Sequence, residues 1–278
     1  MSEKTRKDAI TRCEIADPAA LASSSASPSL NAFSAIMNKR KASSPCSGPS
    51  KKPHSKNPVF GRDGLGPYID HPEKFDASRV ICYDENFVAI HDLYPKSSVH
   101  TLLLPRSQKH TLQHPFDAFE DAEFLASVRE QATKLRDYVG KELQQRYGKF
   151  SKQDSPRQKV LNKEIELARG EEMPVGRDWT KDVKVGIHAH PSMDHLHIHV
   201  LSIDRYSECL KHRKHYNSFA TAFFVDLADF PLAKDDVRRK AEYLNRDMEC
   251  WRCEKNFGNK FVKLKEHLRE EFEEWKKE

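Results

Sequence analysis

The segment His195-Leu196-His197-Ile198-His199-Val200-Leu201 constrains this chain more than any other. A β-strand turns alternate side chains to opposite faces. Its three histidines therefore share one face, while Leu196, Ile198 and Val200 share the other. The apolar set requires a core and the imidazole set requires a site. Two more histidines enter from the preceding loop, His188-Ala189-His190-Pro191-Ser192-Met193-Asp194, which joins this strand to another at residues 183–187. Several imidazoles on a rigid strand suit metal ligation. They also suit phosphoryl transfer, in which one ring attacks phosphorus and its neighbours bind the oxygens. No carboxylate or cysteine is interleaved to complete a metal site, so transfer chemistry is the better reading of this strand.

Elsewhere the pattern is mixed. Residues 80–90 read as strand, turn and strand, and residues 100–105 as a strand stopped by Pro105. Apolar residues from Phe116 to Leu143 recur at helical spacing, which predicts one long helix over 116–147. Residues 148–182 are polar and only partly periodic. They read as an insertion with one helix and no chemistry. A strand is expected at 222–225, and helices at 235–250 and 260–276. The class is α+β: an antiparallel sheet flanked by helices, with a small C-terminal appendage.

Charge divides the chain. Residues 1–58 hold ten Lys/Arg against four Asp/Glu, a net of +6, whereas the whole chain carries +5. This tail is rich in Ser, Ala and Pro with few large apolar residues, and is read as disordered. Lys39-Arg40-Lys41 and Lys51-Lys52 form two basic clusters nine residues apart, a spacing that suits a two-part nuclear-import signal, or loose attraction to phosphates; the first reading predicts a nuclear protein. The remaining residues are near neutral, so contact with nucleic acid must use local patches. No run of about 18 apolar residues exists, which argues against a membrane-spanning helix. No apolar h-region follows the N-terminus, which argues against secretion. Six scattered cysteines indicate a reducing compartment and a metal site rather than a disulfide framework.

That metal site is Cys250-x2-Cys253 followed, after thirteen residues, by His267-x3-Glu271. The last two lie one helical turn apart on one face, so both can reach one ion. Four ligands with none spare indicate a closed, structural Zn²⁺, one per chain. Phe257 and Leu264 fall where a finger's small core belongs. Residues 237–270 carry ten Lys/Arg and six Asp/Glu, a local excess suited to sequence-independent contacts with a nucleic-acid backbone.

The histidine pattern resembles the histidine-triad nucleotide hydrolase and transferase superfamily, and Asp92-Leu93-Tyr94-Pro95-Lys96 through His100-Thr101-Leu102-Leu103-Leu104-Pro105 is similar to its nucleotide-pocket strand pair. With the finger, and with 185–201 and 210–219, the chain resembles the aprataxin family of DNA 5′-adenylate hydrolases, in its fungal-type short form. The resemblance implies a histidine-triad fold over 59–232 with the insertion near 148–182, and a zinc finger over 233–278. It implies removal of AMP from 5′-adenylated DNA, at nicked or broken ends and without sequence preference, through a covalent AMP–histidine intermediate. In that scheme His197 is the nucleophile, and His188, Ser192, His199 and Lys211 bind phosphate oxygens. His195 and His100 complete the pocket and Asp92 takes the ribose. Tyr94, Lys96 and Met193 contact substrate, and Phe60 is a wedge against the terminal base pair. No catalytic metal and no membrane are expected. The competing readings are a hydrolase of small nucleotides and a non-catalytic zinc-finger DNA-end binder.

Overall fold

The computed structural model describes residues 61–240 and 242–278. The basic tail and Phe60 lie outside the described residues. Helix α1 (Gly66–Asp70) precedes strands β1 (Val80–Tyr83), β2 (Phe87–His91) and β3 (His100–Pro105). The β1–β2 turn forms because the Asp84 carboxylate accepts from the amides of Asn86 and Phe87, both at 2.7 Å.

The long helix expected over 116–147 is two helices, α2 (Pro115–Ala118) and α3 (Ala122–Tyr147). Asp121 separates them by capping α3, its carboxylate accepting from the Phe124 amide at 3.1 Å. Next come α4 (Ser155–Leu161), β4 (Val183–His188), β5 (Ile198–Ser202), α5 (Arg213–Ala220) and β6 (Phe224–Asp226). Hairpin β7 (Met248–Glu249) and β8 (Asn256–Gly258) then leads into α6 (Phe261–Trp275).

The six strands form one antiparallel sheet in the order β1-β2-β3-β5-β4-β6. Period two divides its side chains between two environments. Leu103, Ile187, Ile198 and Val200 pack with Leu125, Val128, Leu135 and Val139 of α3 in the main core. On the opposite face Val88, Ile90, Leu102 and Leu104 pack beneath Leu65, Tyr68 and Ile69 of α1 and its approach. The same face carries His100, His188 and His199, and burial on both sides makes β3 and β5 largely apolar, with His100, Thr101, His199 and Ser202 as their polar residues.

Two further expectations fail. The histidine strand begins at Ile198 rather than Leu196, because the Leu196 amide donates to Thr111 O at 2.7 Å instead of to the sheet. The helix expected over 235–250 is a short 3-10 turn at Val237–Lys240, then loop, then β7. Asn217 accounts for the extended loop: its side-chain amide donates to Leu244 O and Arg246 O, at 3.2 and 2.8 Å.

The stretch over 148–182 gains a structural role. Asp154 is fully buried; its carboxylate accepts from the Arg177 amide at 3.0 Å and from Trp179 Nε1 at 2.7 Å. Gly176 leaves room for it, since a Cβ there would sit 1.8 Å from Asp154 Oδ1. Arg177 in turn donates to Trp275 O at 2.6 Å and pairs with Asp182 at 2.9 Å. Trp179 and Trp275 meet edge to face at 5.7 Å, and Trp275 Nε1 donates to Asp182 Oδ1 at 3.0 Å. The insertion therefore holds the last helix of the finger against the sheet domain.

Candidate functional site

A cleft enclosing about 750 Å³ of empty space, open solvent included, runs from α1 to the histidine face. Leu65, Tyr68, Ile90, Leu102 and Met193 form its apolar wall. Asp92, Tyr94 and Lys96 come from the β2–β3 loop, and His188, Ser192, His197 and His199 stand at its head. The register explains the convergence. Leu102 pairs with His199 and Gly186 pairs with His199, so His100 on β3 and His188 on β4 are diagonal neighbours of His199 on β5. The His188 and His199 rings lie 4.5 Å apart, and those of His197 and His199 4.9 Å apart.

His197 has one committed nitrogen. Its Nδ1 lies 2.8 Å from His195 O; a carbonyl only accepts, so Nδ1 carries the proton and Nε2 keeps a lone pair. Burial pushes the His197 pKa below the ordinary imidazole value, partly opposed by this backbone bond. The ring is thus a neutral nucleophile at pH 7. His188 and His199 are buried as well, and burial holds both pKa values well below the ordinary value. An activity that needs the Nε2 lone pair is expected to be level from about pH 8 down to about 6.5 and to fall only at lower pH. A profile of kcat/KM against pH checks this, and activity still climbing above about pH 7 would contradict it.

Other expected site residues lie elsewhere. His100 is off the cleft wall, with its side chain wholly buried behind His199. His195 is absent from the wall too, because its ring packs against Gly66, where a Cβ would come within 3.3 Å of it. The Lys211 side chain is exposed, and its amide donates to His215 Nδ1 at 3.2 Å. It does not line the cleft. Lys96 is a buried cation that lines the cleft, its ammonium held by Tyr94 O.

Sequence reasoning missed Leu65 and Tyr68, which sit in a short stretch too sparse in apolar residues to signal a helix. It also missed the Phe219 ring, which meets His100, His188 and His199 near their edges at 5.3, 4.6 and 5.1 Å. The available signal was the motif at 210–219.

Cys250, Cys253, His267 and Glu271 place one ligand atom each within 4.8 Å of one another. Cys253 Sγ to His267 Nε2 and His267 Nε2 to Glu271 Oε1 are both 3.1 Å. Two thiols, an imidazole and a carboxylate at these separations fit a four-coordinate zinc ion. Arg252 Nη1 holds the other Glu271 oxygen at 2.6 Å, leaving Oε1 toward the cluster. Beneath lie Met248, Cys250, Leu264 and Leu268, with Leu210 and Tyr216 from the α5 region. Phe257 packs against the same cluster, as its position in the sequence predicts. Asp92, His100 and His199 also bring ligand atoms within 4.8 Å. Of these, His100 and His199 are hydrogen-bonded, with His100 Nε2 and His199 Nδ1 only 2.9 Å apart, while the Asp92 carboxylate stands 3.5 Å from His100 Nδ1.

Comparisons with known proteins agree with this geometry. Residues 74–206 match the HIT domain family, and residues 220–274 match the C2HE / C2H2 / C2HC zinc-binding finger. An aprataxin-like protein of Schizosaccharomyces pombe is 34% identical over 215 residues, covering 77% of this chain and 82% of that protein. An aprataxin-like protein of Saccharomyces cerevisiae is 34% identical over 224 residues, covering 76% and 95%. The chain belongs to the aprataxin family.

Solved aprataxin structures share the fold. The crystal structure of aprataxin ortholog Hnt3 from Schizosaccharomyces pombe aligns with a TM-score of 0.60 and 29% identity, over 76% of this chain and 92% of that one. Hnt3 in complex with DNA aligns with a TM-score of 0.54 and 31% identity, over 77% and 96%. The aprataxin-family chain thus carries the HIT hydrolase domain and the finger together.

For the finger, chelation is expected to loosen the hairpin that carries Cys250 and Cys253 rather than to unfold α6, which Phe272 and Trp275 hold in the main core. Glu271→Ala is expected to release zinc to a competing chelator about tenfold faster or more than the parent chain. Equal release rates would remove Glu271 from the ligand set.

Proposed function

We propose that this protein hydrolyses 5′-adenylated DNA ends, releasing AMP and leaving a DNA 5′-phosphate. One observation carries the reading: a neutral imidazole, its Nδ1 fixed on His195 O, offers Nε2 to a cleft whose far wall is apolar and whose side carries Asp92. Adenine suits the wall of Leu65, Ile90, Leu102 and Met193, and Asp92 suits the ribose hydroxyls.

His197 Nε2 attacks the adenylate phosphorus, and the bond from that phosphorus to the bridging oxygen breaks. The oxygen leaves with its electron pair as part of the DNA 5′-phosphate. The resulting AMP–imidazole is cationic, and the Nδ1–H bond to His195 O stabilises that charge. The oxygen of a water then bonds to phosphorus, the phosphorus–Nε2 bond breaks with its electron pair returning to Nε2, AMP departs carrying the water oxygen, and a proton of the water goes to solvent as neutral His197 returns. The leaving group is a phosphate of low basicity, so positioning and charge neutralisation lower most of the barrier. His188, Ser192 and His199 line the same end of the cleft, where they meet the phosphate oxygens, and the Lys96 ammonium adds positive charge beside them. Zinc, when bound by Cys250, Cys253, His267 and Glu271, supplies a folded finger rather than chemistry at this cleft.

DNA as the carrier of the adenylate is supported by Hnt3 structures in complex with DNA, and with DNA and guanosine. A duplex with a 5′-adenylated nick, compared with a dinucleotide polyphosphate, tests the reading. Release of AMP from the nick is expected to be faster by about a hundredfold, a difference of about 2.7 kcal/mol in transition-state binding. Equal rates on both would favour a small-nucleotide hydrolase, and nick binding without turnover a pure end-binding protein.

A further inference from the structure

Hydrogen-bond direction in the file from the Lys96 amide through His100 to His199 is set by a group that cannot reverse. The Lys96 backbone N–H points at His100 Nδ1, 3.1 Å away. An amide N–H only donates, so Nδ1 must accept, and a neutral imidazole that accepts at Nδ1 carries its proton on Nε2. His100 Nε2 lies 2.9 Å from His199 Nδ1. One proton serves that contact and His100 supplies it, so His199 accepts at Nδ1 and carries its own proton on Nε2. His199 Nε2 is buried without a partner among the described residues, on a ring that lines the cleft beside His197.

We propose that His100 is a positioning residue that fixes the tautomer of His199, so that His199 presents an Nε2–H donor to an adenylate phosphate oxygen. The inference rests on the reaction proposed above and deepens it. His100 acts through His199, since its own side chain has no exposure and does not reach the cleft.

Three features hold the arrangement. Phe219 stands nearly perpendicular to both rings, at 87° to His100 and 86° to His199, and obstructs their reorientation. Burial drives the His100 pKa down to about 4, with the Lys96 and Arg205 cations acting in the same direction and Asp92 opposing them. A second proton on His100 would also oppose the Lys96 N–H. Asp92 Oδ1 accepts from the Tyr94 amide at 2.7 Å, and Oδ2 is 3.5 Å from His100 Nδ1, beyond a normal hydrogen bond, which leaves Oδ2 available to the cleft. With the opposite tautomer, His199 would turn a lone pair toward the phosphate oxygens, and an attractive contact would become repulsive.

Two substitutions separate polarity from packing. His100→Gln supplies a carbonyl to accept from Lys96 N–H and an NH₂ to donate to His199 Nδ1, so it preserves the direction of the file. His100→Glu accepts at both ends and imposes Nδ1–H on His199. On the adenylated nick, His100→Gln is expected within about tenfold of the parent kcat, and His100→Glu lower on the order of a hundredfold or more with little change in KM.

The decisive readout is ¹⁵N NMR of the histidine rings in the full chain. Nε2–H on His199 in the parent and in His100→Gln, and Nδ1–H in His100→Glu, is the expected result. Nδ1–H on His199 in the parent overturns the inference, as do equal kcat losses in both variants. The parent spectrum alone decides the tautomer if His100→Glu does not fold. A parent that shows Nε2–H but releases no AMP overturns the adenylate reaction and the tautomer's proposed role in it, while leaving the tautomer itself established.

Discussion

His197→Ala is expected to lower AMP release from a 5′-adenylated nick on the order of 10⁴-fold or more, because a covalent route has no substitute for its nucleophile. The substitution removes a ring from a cleft wall rather than from the packed core, so the variant is expected to fold and to bind the nick as the parent does. His188→Ala is the useful contrast. Its ring lies beside His199 at the same cleft head, but it removes one phosphate-facing group and leaves the attacking nitrogen, so a loss on the order of 10²–10³-fold is expected. Rapid-quench measurement of AMP release from both variants checks the order. If His188→Ala were the more damaged of the two, the nucleophile would be misassigned.

The second large effect concerns the insertion. Trp179→Ala is expected to destabilise the folded chain by roughly 3–5 kcal/mol, the cost of a large cavity in a packed region. Trp179 is 2% exposed; its indole N–H donates to buried Asp154, and the Arg177 guanidinium covers its ring at 4.1 Å. Removing it leaves the Asp154 carboxylate short of a donor and leaves Trp275 with one edge-to-face neighbour, Tyr147, instead of two. Val175→Ser, four residues away, is expected to change stability by about 0.5 kcal/mol at most, since Val175 is 94% exposed. Urea unfolding of the two variants beside the parent provides the comparison. Similar midpoints would show that the insertion contributes little to the fold.

These expectations bear on what could be read in the sequence. The histidine register was legible in part: β3 and β4 fall where their apolar runs place them, but β5 begins at Ile198, so period two accounts for His199 alone, and His195 and His197 are placed by the loop before it. The finger was legible for a similar reason: two thiols two residues apart and a pair one helical turn apart leave few other arrangements, and all four meet. The insertion was not legible. Arg177 finds Trp275 O at a separation of 98 residues, and no local periodicity encodes that partner.

The same limit explains His100, Lys211 and His195. Each was grouped with the pocket by its place in a motif, but the placement of His100 and His195 depends on neighbours distant in sequence, His199 behind the wall and Gly66 in α1, while Lys211 has its backbone amide tied to His215 at the start of α5 and its side chain exposed. The 235–250 helix failed because helical spacing competes with a tertiary tether, and Asn217 anchors the carbonyls of Leu244 and Arg246 in an extended loop.

The account turns on a bond between His197 Nε2 and adenylate phosphorus. Acid quenching of the enzyme during turnover of a 5′-adenylated nick, followed by peptide mass spectrometry, tests it most directly. The predicted result is one adenylate on the peptide that contains His197, formed and lost at rates matching AMP release, and absent from His197→Ala. Steady turnover with an unmodified His197 peptide, or with the adenylate on another residue, would contradict it.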